Sequence, residues 1–177
     1  MKTGFDAFWS NIFSGKKGSG DTSRIDILQR IPIFGDLSRR ELRTIAGMVY
    51  DRSYEEGEYM FETGQPGAAM FVIEDGEVLI TRKNSDGEEV QLARLKNGES
   101  LGELALLDSS PRSASAYVSK PSTAMAIFRE DLDKLLDTNP ELGGKVMKRL
   151  AVIIGMRLKA TNDLLMTKEE EINDSKK

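Results

Sequence analysis

The sequence of 177 residues contains no histidine and no cysteine. Without cysteine there are no disulfides, no thiolate nucleophile and no zinc–thiolate site. Without histidine there is no Ser–His–Asp triad, no imidazole base and no imidazole ligand for a transition metal. We therefore expect no catalytic residues, no metal and no cofactor, whereas a ligand-binding protein loses nothing by these absences.

A long apolar run and an excess of basic residues are also lacking. No stretch approaches the ~20 apolar residues that cross a membrane, and the N-terminus has no signal-peptide pattern, so we expect a cytoplasmic protein. Lys and Arg number 25 against 29 Asp and Glu, which gives a net charge of −4. This balance predicts no binding to nucleic acid. An anionic ligand would need a local arrangement of donors.

The composition along the chain predicts four segments. Residues 1–20 combine an amphipathic helix with a Gly/Ser/Lys linker. Residues 24–139 form the main domain. The chain is long enough for one domain of ordinary size and too short for two. Residues 140–168 form one long helix, and residues 169–177 form a charged tail that we expect to fray.

The N-terminal helix has an aromatic face within residues 5–13, with apolar residues spaced by three and four. The face consists of Phe5, Phe8, Trp9, Ile12 and Phe13. Three interpretations of this face are open. It packs on its own domain or on a sister subunit, it docks on a separate effector protein, or it lies on a membrane surface. The third alternative is the weakest, because few basic residues accompany the face.

The middle of the main domain has glycines at intervals of about ten and short alternating apolar segments, a pattern typical of an antiparallel sandwich or barrel. The predicted strands are Glu58–Phe61, Ala69–Glu74, Glu77–Arg82, Glu89–Leu95, Ser113–Val118 and Thr123–Phe128. Two Asp-Gly dipeptides, at residues 75–76 and 86–87, have the sequence of hairpin turns.

Helices flank this strand region. Asp36 or Ser38 is suited to cap a helix that runs on to Val49, and Arg129 opens a second helix that stops before Pro140. The long helix that follows carries a heptad-like apolar seam, which predicts contact with a second copy of the chain. The seam consists of Met147, Ala151, Ile154, Leu158, Thr161 and Leu165.

One segment, residues 98–116, interrupts the strand pattern and has the residue types of an anion site. A short helix-forming run follows Gly102, and a helix N-terminus favours an anion. Arg112 follows, with a planar guanidinium that suits phosphate oxygens. Glu103 is placed either to accept a sugar hydroxyl or to hold Arg112, and Ser113 adds a hydroxyl. An ordinary ion pair between Glu103 and Arg112 is the structural alternative.

This segment, Gly102-Glu103-Leu104-Ala105-Leu106 followed by Pro111-Arg112-Ser113-Ala114, resembles the phosphate-binding cassette of the cyclic nucleotide-binding domain family. The stretch from Phe61 to Gly76 resembles the β-roll signature of the same family. The resemblance covers about residues 27–165. It implies a mainly β fold with flanking helices, in which an antiparallel β-roll (a double-stranded β-helix or jelly-roll) carries the cassette.

The resemblance also implies roles for the cassette residues. Glu103 would bond the ribose 2′-hydroxyl, and Arg112 would bond the exocyclic phosphate oxygens. The N–H groups of Gly102, Leu104 and Ala105 would complete the phosphate cradle. Ser113 would contact the phosphate or a guanine edge. Leu101 departs from the family, which often has Phe there, and we expect this to alter packing only.

The long helix contains Arg157-Leu158-Lys159-Ala160-Thr161-Asn162, which resembles the base-reading stretch of the family's catabolite activators. By this resemblance Thr161 would accept from the adenine amino group. Arg157 would pair with Glu103 when the helix closes, which would couple the helix to the site as a lid. Asn162 stands where those activators have Ser, so its contact across the dimer is in question. The alternative interpretation of Thr161 is that it is only a polar residue in the dimer seam.

The prediction is therefore a cyclic nucleotide sensor that prefers cyclic AMP over cyclic GMP and forms a homodimer through its C-terminal helix. Because the chain ends at Lys177, we expect it to stand alone and to act through a partner, with residues 5–13 as the candidate effector surface. The alternatives are an interaction module of the same fold with an empty site or another anion, and, least favoured, an enzyme.

Overall fold

The computed structural model describes the backbone of residues 21–174 and most of their side chains. The predicted aromatic helix at residues 5–13, the linker and the last three residues lie outside the described part. The helices are α1 (Asp21–Arg30), α2 (Arg39–Ala46), α3 (Arg129–Thr138) and α4 (Pro140–Asp174), and a 3₁₀ helix covers Glu103–Leu106. The strands are β1 (Val49–Tyr54), β2 (Tyr59–Phe61), β3 (Ala69–Lys83), β4 (Glu89–Lys96), β5 (Ser100–Leu101) and β6 (Ser115–Phe128).

The strands form one antiparallel sheet in the order β1-β6-β3-β4, with β2 added to β6 and β5 added to β3. Neighbouring residues of a strand point to opposite faces. Met70 and Val72 therefore enter the core shared with the helices, while Phe71 and Ile73 enter the core inside the roll. This is the predicted mainly β fold with flanking helices. The inner core borders the segment that carries the candidate site.

β3 corrects one prediction. Asp75-Gly76 is not a hairpin turn, because both halves of β3 pair with β6 rather than with each other. Gly76 has φ +109°, and a Cβ there would lie 2.1 Å from Ser122 Oγ. The glycine thus permits a bend where two long strands approach closely. The second dipeptide, Asp86-Gly87, does turn the chain between β3 and β4.

The helices before the sheet differ in two respects from those predicted from the sequence. Ser38 caps α2 in a capping box with Glu41, as the sequence predicted for one of two candidates. Val49, however, belongs to β1 and not to the helix, because α2 ends at Ala46 and β1 pairs with β6 from Val49 onward. The helix α1 was not predicted from the sequence, and its Leu28 is buried in the helical core.

The helices after the sheet pack against the same core. α3 ends before Pro140 as predicted, and α4 begins there. Leu142, Val146 and Leu150 recur every fourth residue and are buried, so they form the face of α4 that holds it to the domain. Gly143 lies against Leu136 so closely that a Cβ would come within 2.8 Å of Leu136 Cδ2.

The second half of α4 leaves the domain. Its apolar side chains there are exposed, with Leu158 at 61% and Leu165 at 56%. The helix continues to Asp174 and so includes the first six residues of the predicted charged tail. No helix in residues 21–174 is long and apolar enough to cross a membrane.

Candidate functional site

A cavity of about 650 Å³ opens between the roll and α4. One wall is apolar and comes from the strands, with Ile80, Ala93, Leu95 and Leu101. The opposite wall is the segment from Gly102 to Ala114, and Arg157 of α4 closes one side. An apolar wall facing a small set of polar groups is the usual form of a small-molecule site.

The 3₁₀ helix is held at both ends by its own sequence. Gly102 precedes it with φ +73°, a backbone conformation that residues with a Cβ rarely adopt. After it, Asp108 accepts from the N–H and the hydroxyl of Ser110, at 3.0 and 2.8 Å, which turns the chain away. The Ala105 N–H donates to Gly102 O at 3.1 Å. Ala105 is therefore engaged by the helix itself, and Leu104 is half exposed at the cavity.

Arg112 is the central cation of the cavity. Its Nη2 donates to Ala69 O at 2.6 Å and its Nη1 to Gly102 O at 3.3 Å. Its guanidinium lies over the ring of Phe61, with Cζ 4.0 Å from the centroid, a cation–π contact. Among the described residues, the buried Nε has no hydrogen-bond acceptor.

The charge of Arg112 survives its burial. Desolvation lowers the pKa of Arg112 to about 10, and the nearby Glu103 carboxylate and Tyr54 oppose this shift. The guanidinium is therefore protonated at neutral pH. A partly desolvated cation of this kind favours an anion in the cavity, because the anion would replace the water that the guanidinium has lost.

Glu103 pairs with the lid helix rather than with Arg112. Its carboxylate is buried, and Oε1 accepts from Nη1 of Arg157. Arg157 Nη2 also approaches Ser100 O at 3.4 Å. This ion pair connects the cavity wall to α4, and the carboxylate keeps further lone pairs for a hydroxyl donor.

The other predicted site residues divide into two groups. Ser113 lines the cavity and its side chain is exposed to it. Thr161 and Asn162 lie on the exposed half of α4, outside the residues that line the cavity. The Thr161 hydroxyl donates to Arg157 O at 2.9 Å, four residues earlier. One chain in this conformation therefore does not bring Thr161 to the other site residues.

Two residues that support Arg112 were not predicted from the sequence. Phe61 supports the Arg112 guanidinium, and Ala69 supplies its shortest hydrogen bond. Both lie far from Arg112 along the chain, so no local pattern links them. Of the residues that line the strand wall, only Leu101 was singled out from the sequence, as a departure from the family pattern. Among residues 21–174, no group of three acidic side chains is placed to hold a metal ion.

The roll, the cassette and the closing helix together define a small-molecule-binding regulatory domain. Residues 51–139 match the sequence model of the cyclic nucleotide-binding domain. Because this match covers half of the chain, the protein belongs to the cyclic nucleotide-binding domain family.

Three relatives illustrate the range of the family. The "Cyclic AMP receptor protein" of Thermus thermophilus is 33% identical over 78% of this chain and 63% of that protein. A "Glutaminase 1" of Bradyrhizobium diazoefficiens is 31% identical over 82% of this chain but 23% of that protein. A crystal structure of a cyclic nucleotide-binding domain from Methylobacillus flagellatus is 28% identical, with a TM-score of 0.74, covering 86% of this chain and 87% of that one.

These curated relatives are longer than the aligned region, because the chain spans less than two thirds of the length of either. What the family shows for this chain is the binding fold, which is typically regulatory and non-catalytic. The enzyme name of one relative describes a protein of which this chain matches less than a quarter.

Proposed function

We propose that this protein is a non-catalytic sensor that binds cyclic AMP in preference to cyclic GMP and reports binding through α4. The observation that carries the proposal is Arg112, a partly buried, protonated guanidinium whose buried Nε lacks an acceptor among the described residues. A buried donor without a partner is costly in free energy. An exocyclic phosphate oxygen would supply the acceptor.

The remaining contacts follow the shape of the cavity. Glu103 would accept from the ribose 2′-hydroxyl with the lone pairs that Arg157 does not use. The N–H groups at Gly102 and Leu104 would face the phosphate, and Ala105 would share its N–H or release Gly102 O. The purine would lie against the apolar strand wall.

Base preference requires a residue outside the present cavity. Thr161 Oγ1 already donates its hydrogen to Arg157 O, so its lone pairs are left to accept from a donor. The adenine amino group is a donor, and the guanine edge at the same position carries a carbonyl. We assign cyclic AMP on this basis, with α4 of this chain or of a second copy bringing Thr161 to the base. Asn162 would then face the other subunit.

The response would pass through the Glu103–Arg157 ion pair. A ribose hydroxyl that donates to the remaining lone pairs of the Glu103 carboxylate would change the strength of its ion pair with Arg157. Binding would thereby change the free energy of one position of α4 relative to another. A ligand shifts an equilibrium only by such a difference.

Dimer formation through α4 is part of the proposal. Leu158 and Leu165 lie seven residues apart on one exposed stripe of the helix, and a second copy would bury both. Leu158→Asp should give a monomer by sedimentation velocity, while Met156→Asp, on the opposite side of the helix, should not. A dimer that survives Leu158→Asp would contradict this interface.

The segment that would contact an effector protein is separate in sequence from the cavity residues and from α4. Residues 5–13 remain the candidate surface for an effector protein, and their aromatic composition is the basis for this assignment.

Calorimetry with cyclic AMP and cyclic GMP tests the binding proposal. Loss of a desolvated charge-assisted contact costs roughly 2–5 kcal/mol, so Arg112→Ala should weaken cyclic AMP binding by about 30-fold or more. Arg82→Ala, an exposed arginine at the end of β3, is the matched control and should leave affinity unchanged.

Two results would overturn the proposal. One is wild-type binding no tighter than millimolar for both nucleotides, which would favour a module with an empty site or another anion. The other is equal affinity for wild type and Arg112→Ala. Mass analysis of small molecules released by denaturing the purified protein provides an independent check, since a bound cyclic nucleotide would appear there.

A further inference from the structure

Arg129, the first residue of α3, contacts three carbonyl oxygens behind the candidate site. Its Nη1 donates to Gly67 O and Ala105 O, both at 3.3 Å, and to Asp108 O. Its main-chain N–H donates to Ala68 O at 2.9 Å. Two hydrogens on one nitrogen cannot form three straight bonds, so this nitrogen lies inside a cluster of acceptors.

The position of this arginine is unfavourable for its own helix. A cation in the first turn of a helix opposes the helix dipole, and the next two residues of α3, Glu130 and Asp131, have the sign that the dipole prefers. The carbonyls at the end of a helical turn carry the opposite partial charge, which attracts a cation. Ala105 O and Asp108 O lie at the end of the 3₁₀ helix. The carbonyl groups at the end of the 3₁₀ helix, rather than the dipole of α3, thus explain why an arginine occupies position 129.

The same region is tightly packed. A Cβ on Gly67 would lie 3.0 Å from the Ala105 Cβ and 3.1 Å from Ser110 O. The loop before β3, the end of the 3₁₀ helix and the start of α3 therefore meet at Arg129 with little free space. The beginning of the 3₁₀ helix faces the cavity.

We propose that Arg129 is a positioning residue that fixes the end of the 3₁₀ helix to the start of α3, so that α3 follows when the 3₁₀ helix moves. Arg129 is not among the residues that line the cavity. Because α4 follows α3 directly, this contact is a second connection between the cavity and α4, independent of the Glu103–Arg157 pair. The role in signalling rests on the proposed function, while the mechanical connection does not.

The connection is tested without ligand by amide hydrogen exchange of the full chain. Leu107 and Asp108 both donate to Leu104 O, and their exchange should rise about tenfold in Arg129→Ala, because the neighbouring carbonyls lose a charged donor. Arg129→Lys should be intermediate, since an ammonium has three N–H donors. Lys134→Ala, an exposed cation of α3, is the control. Wild-type exchange in Arg129→Ala, or an equal rise in the buried β3 amide of Val72, would overturn the proposal.

The response is tested with cyclic AMP at saturation, which removes any effect of affinity. The chain has no cysteine, so spin labels at Ser85→Cys and Lys159→Cys report one roll-to-α4 distance when the labelled chain is diluted with unlabelled protein. Cyclic AMP should change this distance in wild type and Lys134→Ala, and change it less in Arg129→Ala. A full change in Arg129→Ala would overturn the coupling. If wild type binds no cyclic nucleotide, the proposed function fails and the exchange experiment alone decides the role of Arg129.

Discussion

Replacing Gly102 with alanine should displace Arg112 and weaken nucleotide binding. The residue has φ +73°, and an alanine Cβ would lie 2.4 Å from Arg112 Nη1 and 3.3 Å from Ala69 O. The guanidinium would have to move, because the main chain on the other side is fixed in the sheet. Gly98 is a matched control: its φ is +83°, and a Cβ there would meet nothing within 4 Å.

The pair of variants separates two costs. Each alanine adopts the left-handed region at about 1–2 kcal/mol, and this cost cancels when Gly102→Ala is compared with Gly98→Ala. The remaining difference comes from the bond of Arg112 to Ala69 O at 2.6 Å. A hydrogen bond from a charged group contributes about 1.5–3 kcal/mol. Gly102→Ala should therefore be less stable than Gly98→Ala by about 2 kcal/mol.

The assays are urea denaturation for stability and calorimetry for cyclic AMP. Gly98→Ala should bind as wild type does, and Gly102→Ala should bind about 30-fold more weakly, which corresponds to ~2 kcal/mol. Equal dissociation constants and equal unfolding midpoints for the two variants would refute the reasoning, because they would show that Arg112 does not occupy the space beside Gly102.

Three further predictions concern stability and pH. Gly143→Ala should destabilise the protein, since its Cβ would come within 3.0 Å of the α3 main chain, whereas Gly144→Ala, with open space, should stabilise α4 by up to ~1 kcal/mol; thermal unfolding distinguishes them. A hydrogen bond from an α4 lysine, aided by the α2 N-cap, lowers the pKa of Glu41 to about 2. The resulting stability is complete above the ordinary value of 4.5 and lost as pH falls toward 2. Glu41→Gln should therefore reduce the loss of stability between about pH 5 and 3 in denaturant titrations, and an unchanged pH profile would contradict this. Cyclic AMP affinity should be flat from about pH 6 to 8 and fall as pH approaches the Arg112 pKa of about 10; a change near neutrality in calorimetry would contradict it.

Local sequence signals predicted the parts of the fold that local chemistry decides. Ser38 was suited to cap a helix because a hydroxyl three residues before a glutamate forms a capping box within one turn. The two Asp-Gly dipeptides were indistinguishable by the same reasoning. Residues 86–87 form a turn and residues 75–76 do not, because long-range pairing with β6 keeps β3 continuous. No local pattern contains that pairing.

The candidate site divides in the same way. Gly102, Glu103 and Arg112 were found together because they are close in the chain and share a motif. The support for Arg112 from Phe61 and Ala69 comes from other strands, so sequence spacing did not predict it. For Thr161 the sequence predicted the helix on which the residue lies but not its distance from the site. Its place on α4 was correct, but its distance from the cavity depends on how Leu142–Leu150 seats the helix in the core.

The length of α4 has a mechanical consequence. At 1.5 Å per residue, the 17 residues from Arg157 to Asp174 extend about 26 Å beyond the last contact with the cavity wall. A rotation of about 10° at Arg157 would sweep the far end through roughly 4–5 Å, since an arm of this length multiplies a small angle. A small change in one carboxylate contact at Arg157 would thus become a displacement comparable to a full helical turn at the far end of α4.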